Sequence, residues 1–344
     1  MLISSTRYLV IIISCIFATP SWSSPPTFSN VFVFGDSLSD TGNFASVNGP
    51  FPNPPFFDNR VSNGLTSVDL LAQSLGLSVN PSLHLIGPAV GTNYAVVGAR
   101  TAGVSALDLP TQVAAFSANF GGVAPADALY VINIGGNDVR DARDTQDNLA
   151  AKKLINAAVK GEIAQIQNLI NIGAQYILVV NVTNIGRIPE TNLIAAQLQN
   201  SLFVQRAAKL SKLFNYQLKK QLKLLNHQND ITLVRFNQFK EFEELLEDSS
   251  ELGFTNITDA CFSTVSLSFN VGCNFGASFD QYAFFDEIHP TARTNKVIGR
   301  ELIRELDEFK NEDKDEDDNK KEDDRDREHE YENRENEYAS SDDD

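Results

Sequence analysis

The sequence predicts a doubly wound α/β domain built on a mostly parallel five-stranded sheet. Three observations carry this expectation. Short apolar runs of strand length recur without polar alternation, the pattern of strands buried on both faces. Helix-length segments separate those runs. The residues with distinctive chemistry fall just after the runs, outside the carboxyl ends of the strands, where open α/β sheets bind their ligands.

The elements follow in order. Residues 30–34 are apolar and β-branched and lead into Gly35, so they read as the first strand. Thr66 to Leu75 reads as a helix, and Thr92 to Val97 as a second strand. A helix over Leu109 to Asn119 precedes a third strand over Ala128 to Ile134. Ala150 to Ile172 is helical, and Tyr176 to Val182 is the fourth strand. One long helix is expected over Asn192 to Leu225, then a fifth strand over Ile231 to Phe236. The last helix is expected from Thr291 to Phe309.

Both chain ends read as lying outside this domain. Arg7, the apolar run Tyr8 to Ala18 and the small residues around Trp22 have the layout of a secretory signal over residues 1–23. The apolar run is shorter than the roughly 20 residues needed to span a bilayer. Residues 28–309 are then the folded domain. Residues 310–344 hold 18 acidic and 7 basic side chains, which gives −11 of the whole chain's −17. With almost no apolar residues, this tail cannot offset its conformational entropy by burial and is expected to be disordered.

The charge pattern excludes some functions. No basic stripe is present, so nucleic acid is not an expected partner. Cys15 would leave with the signal, and the chain would be secreted, to the periplasm or the medium. Cys261 and Cys273 then remain as an even pair in an oxidising compartment. A bridge between them would close a 13-residue loop and contribute up to about 3 kcal/mol. No suitably spaced histidine stands beside them, so no zinc site is expected.

The chemistry sits in short motifs. Phe34-Gly35-Asp36-Ser37-Leu38-Ser39-Asp40 follows the first strand, and Phe285-Asp286-Glu287-Ile288-His289-Pro290-Thr291 precedes the last helix. Serine is a poor nucleophile until a histidine takes its proton and a carboxylate orients that histidine. Of the four histidines, His289 alone has a carboxylate three residues earlier and a helix just after. Asn137, in Gly135-Gly136-Asn137-Asp138, can donate to an oxyanion without changing protonation state. Gly98 can bring a backbone N–H close to a substrate oxygen. Taken singly, each motif also has an ordinary structural reading as a helix cap, turn or surface pair.

Together the four blocks resemble the GDSL, or SGNH, hydrolase family. Phe34 to Asn43 is similar to its first block, Asn93 to Ala99 to its second, Gly135 to Asp138 to its third and Asp286 to Thr291 to its last. The resemblance covers roughly residues 30 to 305. Val97 stands where relatives often have glycine, and Phe285 where many have tryptophan. The resemblance implies a three-layer α/β/α flavodoxin-like fold and ester hydrolysis without a cofactor or metal. It implies a Ser37–His289–Asp286 triad and an oxyanion hole formed by Ser37, Gly98 and Asn137.

The form of the first block, with Asp40 and Asn43, is most similar to the branch of secreted bacterial lipases, phospholipases, haemolysins and glycerophospholipid–cholesterol acyltransferases. A phospholipase A or lysophospholipase that contacts membrane surfaces peripherally is therefore expected. Alternatives are an acyltransferase using cholesterol as acceptor, a carbohydrate acetylesterase and a non-catalytic surface-binding protein. Phe51, Phe56, Phe57 and the stretch Phe275 to Phe285 are candidates to line an acyl cleft. By analogy with the acyltransferase branch, the Cys261–Cys273 loop is a candidate site for an activating protease.

Overall fold

The computed structural model describes residues 27–273 and 277–315. The expected signal segment and most of the acidic tail lie outside the described residues. At the core is a parallel sheet of β1 (Val31–Gly35), β2 (Leu129–Asn133), β3 (Tyr176–Val180) and β4 (Thr232–Phe236), in that spatial order. The register runs Val31 to Leu129 to Tyr176 to Thr232, so the carboxyl ends of all four strands align. β1 and β2 are buried at every position. Strands this apolar need cover on both faces, and the helices supply it.

The helices are α1 (Asn43–Asn48), α2 (Ser67–Ser74), α3 (Leu109–Asn119), α4 (Gly136–Asp144), α5 (Asn148–Asn171), α6 (Pro189–Gln197), α7 (Leu202–Gln228), α8 (Gln238–Glu247) and α9 (Ala292–Asp315). They divide into two packing groups. α2 and α8 pack on α9, while α3, α4 and α7 pack on α5. The helix caps follow the sequence. Thr66 forms a capping box with Asp69 at the start of α2, and Asp147 accepts from Leu149 and Ala150 at the start of α5.

Three sequence expectations are corrected. The sheet has four regular strands, and Thr92 to Val97 is not a fifth. It lies along the open edge of β1 through Val33 N–H to Thr92 O at 3.0 Å, Tyr94 N–H to Val33 O at 2.7 Å and Val96 N–H to Gly35 O at 3.1 Å. Asn93 breaks its regularity, because its amide accepts from Ala95 N–H and donates to Ser39 O. A side chain thus takes over bonds that a ladder would make.

The helix expected over Asn192 to Leu225 is two helices. Gln199 turns to φ +52°, and the Asn200 side chain accepts from Leu202 N–H, so a new helix starts there. The break falls on the polar Gln199-Asn200-Ser201 step. Finally, α9 runs to Asp315, six residues past the helix end expected at Phe309.

The edge segment matters for the site. The chain leaves β1, runs along its open edge, then crosses to β2 on the other side. The strand order therefore reverses at β1, and such a switch point opens a crevice at the carboxyl ends.

Small strands complete the fold. β5 (Asn256–Ala260) pairs with β8 (Tyr282–Phe284), and β6 (Phe262–Ser263) pairs antiparallel with β7 (Ser268–Phe269). Cys261 and Cys273 are disulfide-bonded across that hairpin.

Candidate active site

The crevice at the switch point brings the expected residues together. Ser37 emerges two residues after β1. Its Oγ lies 2.8 Å from His289 Nε2. His289 Nδ1 lies 2.8 Å from both carboxylate oxygens of Asp286. With Asp286 accepting at Nδ1, the proton sits on that nitrogen, and Nε2 is left as the acceptor facing the serine hydroxyl. Ser37, His289 and Asp286 are 8%, 7% and 2% exposed, so little solvent screens their interactions.

A local turn makes this pairing. Asp286 Oδ1 accepts from the backbone N–H groups of Ile288 (2.8 Å) and His289 (2.7 Å), and Phe285 N–H donates to His289 O at 2.8 Å. The Asp286 side chain therefore folds the loop that presents His289 to it. Thr291 and Thr294 fasten the far side by donating to Tyr282 O and Ala283 O. Of the remaining histidines, His84 is half-buried, and burial pulls its imidazole down to about 4, which keeps it neutral. It bonds to Ser82, away from the triad.

Of the expected oxyanion donors, Ser37 and Asn137 line one cleft, and Gly98 follows Val97, whose N–H bonds to Asp40 in the nucleophile loop. Gly98 has φ +81°, a conformation that a side chain would strain. Gly135 is equally constrained: it has φ +115°, and a Cβ there would sit 2.6 Å from the Phe214 ring. That bend starts α4, whose first turn carries Asn137. The Asn137 amide is oriented from behind. Arg140 Nη1 donates to its Oδ1 at 3.0 Å, and its Nδ2 donates to Ala99 O at 3.0 Å. One Nδ2 hydrogen remains for a ligand.

Residues without an assigned role in the sequence reading build the frame. Asp40 is fully buried and accepts four backbone N–H bonds. Gly42 and Asn43 bond to Oδ1 at 2.7 Å, and Phe44 and Val97 to Oδ2 at 3.0 Å. Burial pushes its carboxyl up, and the four N–H donors oppose that shift. Asn43 donates to Asn93 O and Ala95 O and accepts from Leu83 N–H. These two side chains tie the Ser37 loop to the Gly98 loop. Arg140 is held by Glu190, which also receives Arg143 Nη1 at 2.9 Å. No local signal pairs Arg140 with a residue 50 positions away; only its spacing three after Asn137 hinted at a role.

Buried carboxyls stand behind the oxyanion donors. Burial pushes Asp36 up to about 6, and Asp138 up to about 7 despite its bonds to Thr101. Glu162 is fully buried with no hydrogen-bond partner on either oxygen, and burial raises its carboxyl well above the usual range.

A cleft runs from Ser37, Asn137 and Arg140 past the ends of β2 and β3. Its apolar wall comes from Ile185, Ile188, Phe242, Phe284, Ile288 and Ile298. Of the phenylalanines expected to line an acyl cleft, Phe284 does. Phe51 and Phe56 instead join an aromatic cluster with Phe262 and Phe285 beside the site. Among the described residues, no group of three or more histidine, cysteine, aspartate or glutamate side chains is placed to hold a metal ion.

The chain also resembles known proteins. Residues 31–302 match the GDSL-like Lipase/Acylhydrolase family model. One GDSL esterase/lipase of Arabidopsis thaliana is 29% identical, over 79% of this chain and 81% of its own length. A second from the same plant is 25% identical, over 88% of this chain and 97% of its own length. Among solved structures, a catalytic mutant of the acetylxylan esterase Axe2 from Geobacillus stearothermophilus superposes with a TM-score of 0.40 at 13% identity, over 82% of this chain and 96% of that one. With the family model spanning the sheet and every block of the crevice, the chain belongs to the GDSL-like lipase/acylhydrolase family and is a hydrolase acting on esters.

Proposed function

We propose that the protein is a secreted serine esterase that hydrolyses acyl esters of lipids, of the phospholipase A or lysophospholipase type. The observation that carries the catalytic part is the 2.8 Å approach of Ser37 Oγ to a His289 whose other nitrogen faces Asp286. The apolar wall running from Ser37 supports an acyl chain rather than a small acetyl group.

In this reaction Ser37 Oγ attacks the ester carbonyl carbon while its proton passes to His289 Nε2. Asp286 stabilises the imidazolium that forms. The new oxyanion receives hydrogen bonds from the N–H groups of Ser37 and Gly98 and from Asn137 Nδ2. His289 then protonates the leaving alkoxide, and the ester C–O bond breaks to leave an acyl-serine. Water attacks that acyl group by the reverse roles and releases the fatty acid.

The test is fatty-acid release from lysophosphatidylcholine by the wild type beside Ser37→Ala. Release by the wild type and none by the variant is the expected result. No release from this lipid, together with Ser37-dependent cleavage of acetylated sugars, would replace the lipid reading with a carbohydrate esterase.

A further inference from the structure

One stretch of the chain is apolar, exposed and unused by the site chemistry. From Cys261 to Cys273 the sequence holds no charged residue, and Val265-Ser266-Leu267-Ser268-Phe269-Asn270-Val271 alternates apolar with polar. The disulfide closes this stretch around the β6–β7 hairpin. Val265, Leu267 and Val271 are 89%, 76% and 97% exposed, with Phe269 beside them at the hairpin's edge. Leu267 sits at φ +53°, a left-handed conformation that glycine or asparagine adopts at lower cost. A leucine there strains the backbone and contributes little to the core, so the stability of the fold does not account for it.

The hairpin is joined directly to the histidine segment. Cys261 N–H donates to Phe284 O at 3.1 Å and Phe262 N–H to Phe285 O at 2.7 Å. Thr264 Oγ1 donates to the Glu287 carboxylate at 2.8 Å, two residues before His289. Phe56, from the segment after the nucleophile loop, packs edge-on against both Phe262 and Phe285. Whatever holds the hairpin tip also holds the mouth of the crevice.

We infer that this hairpin is an interfacial anchor, whose apolar tip inserts into the surface of a neutral or zwitterionic lipid aggregate and sets the crevice against it. The anchor rests on the lipid reading of the same site, because it explains how an acyl ester in an aggregate would reach Ser37. One observation favours lipid over a protein partner or a second copy, and another selects the kind of lipid. The exposed apolar side chains are carried on a small projecting hairpin, and hydrocarbon needs no shape complementary to them. The charge pattern also fits: the hairpin has no lysine or arginine to attract anionic headgroups, and a chain of net charge −17 is repelled by them.

The experiment is co-sedimentation of the full chain carrying Ser37→Ala with phosphatidylcholine or phosphatidylglycerol vesicles at low salt, beside the same chain with Leu267→Gly and Val271→Ser added. The parent is expected to bind phosphatidylcholine and to bind phosphatidylglycerol more weakly. The added substitutions should lower phosphatidylcholine binding by about tenfold or more. Leu267→Gly alone relieves the left-handed strain, so its melting temperature should stay level or rise while its binding falls. That split separates lost anchoring from lost folding. The inference is overturned if the parent does not bind, if the substituted chain binds equally, if pure phosphatidylglycerol binds as well as phosphatidylcholine, or if the substitutions only dissociate a dimer. Vesicle binding that depends on the hairpin, with no lipid ester cleaved by the wild type, would keep the anchor and sink the lipid-hydrolase reading instead.

Discussion

Asp40→Asn isolates the contribution of the frame that holds the oxyanion donors. The Asp40 carboxylate accepts two N–H bonds on each oxygen, and the pair on Oδ2 comes from Phe44 and Val97. Asparagine keeps one acceptor oxygen. If that oxygen takes the Gly42 and Asn43 bonds, the NH2 group faces the Phe44 and Val97 N–H groups, donor against donor. Two charge-assisted bonds are lost at about 1.5–3 kcal/mol each, so destabilisation of about 3–6 kcal/mol is expected for this fully buried site. Val97 also positions the next residue, Gly98. A misplaced Gly98 N–H should lower kcat by about tenfold to a hundredfold, within the loss seen when an oxyanion donor is removed outright, with KM little changed. Urea unfolding of the variant reads the first quantity, and steady-state hydrolysis of a soluble ester below the unfolding range reads the second. A variant as stable as the wild type would refute the reasoning, as would one whose loss falls on KM alone.

Three further outcomes are expected. Asn137→Ala removes a side-chain oxyanion donor and should lower kcat by about 10²–10³ while the circular-dichroism spectrum is retained. Unchanged kcat would remove Asn137 from the hole. Arg140→Met frees Asn137 Oδ1 from the bond that orients the amide. It should lower kcat by about tenfold without raising KM, because misorientation affects the charge that develops in the transition state; an effect on KM alone would assign Arg140 to binding. Glu162→Gln should flatten the pH dependence of stability. Burial raises the Glu162 carboxyl, so the folded protein keeps a proton that the unfolded chain releases. Stability then falls as pH rises above the ordinary carboxylate range, by up to about 1.4 kcal/mol per pH unit from this group. Glutamine holds no titrating proton, so urea midpoints should converge near pH 4 and separate towards pH 8, with the variant the more stable. Parallel curves would count against the assignment.

What could be read from the sequence depended on how local the physics was. β1, β2 and β3 are apolar at nearly every position, so their existence and parallel pairing followed from composition, while β4, with Thr232 and an exposed Arg235, carried a weaker signal. Asp286 and His289 were legible because one side chain folds the five-residue turn that presents the other. Thr92 to Val97 was misread as a strand because its apolar residues are real but its hydrogen bonding is set by Asn93 reaching Ser39, 54 positions away. The long α6–α7 stretch was misread for the opposite reason. Every residue there tolerates a helix, and the break at Gln199 lacks glycine and proline.

The frame around the triad shows why motifs end where they do. A triad needs only three side chains, yet the site draws on separate segments: Ser37 follows β1, Asn137 lies in the first turn of α4, and Asp286 and His289 come from the segment before α9. Each could sit correctly within its own loop and still be an ångström out of place relative to the others, which would weaken catalysis severely. The long-range bonds fall at these joins. Asp40 and Asn43 connect the nucleophile loop to the Gly98 loop, Ser62 connects the aromatic segment to Pro290, and Glu190 N–H bonds to Glu287 O while its carboxylate holds Arg140 behind Asn137. Asp40 and Asn43 occur beside the nucleophile because they position the second loop against the first. Arg140 and Glu190 act at the same level but on separate elements, so no short motif could contain both. Exchanging Arg140 and Glu190 together should therefore not restore the activity that Arg140→Met removes, since a carboxylate at position 140 has no proton to donate to Asn137 Oδ1 and an arginine at position 190 would face Arg143. Rescue by the exchange, with a stable fold, would show that Arg140 acts through the ion pair rather than through its bond to Asn137.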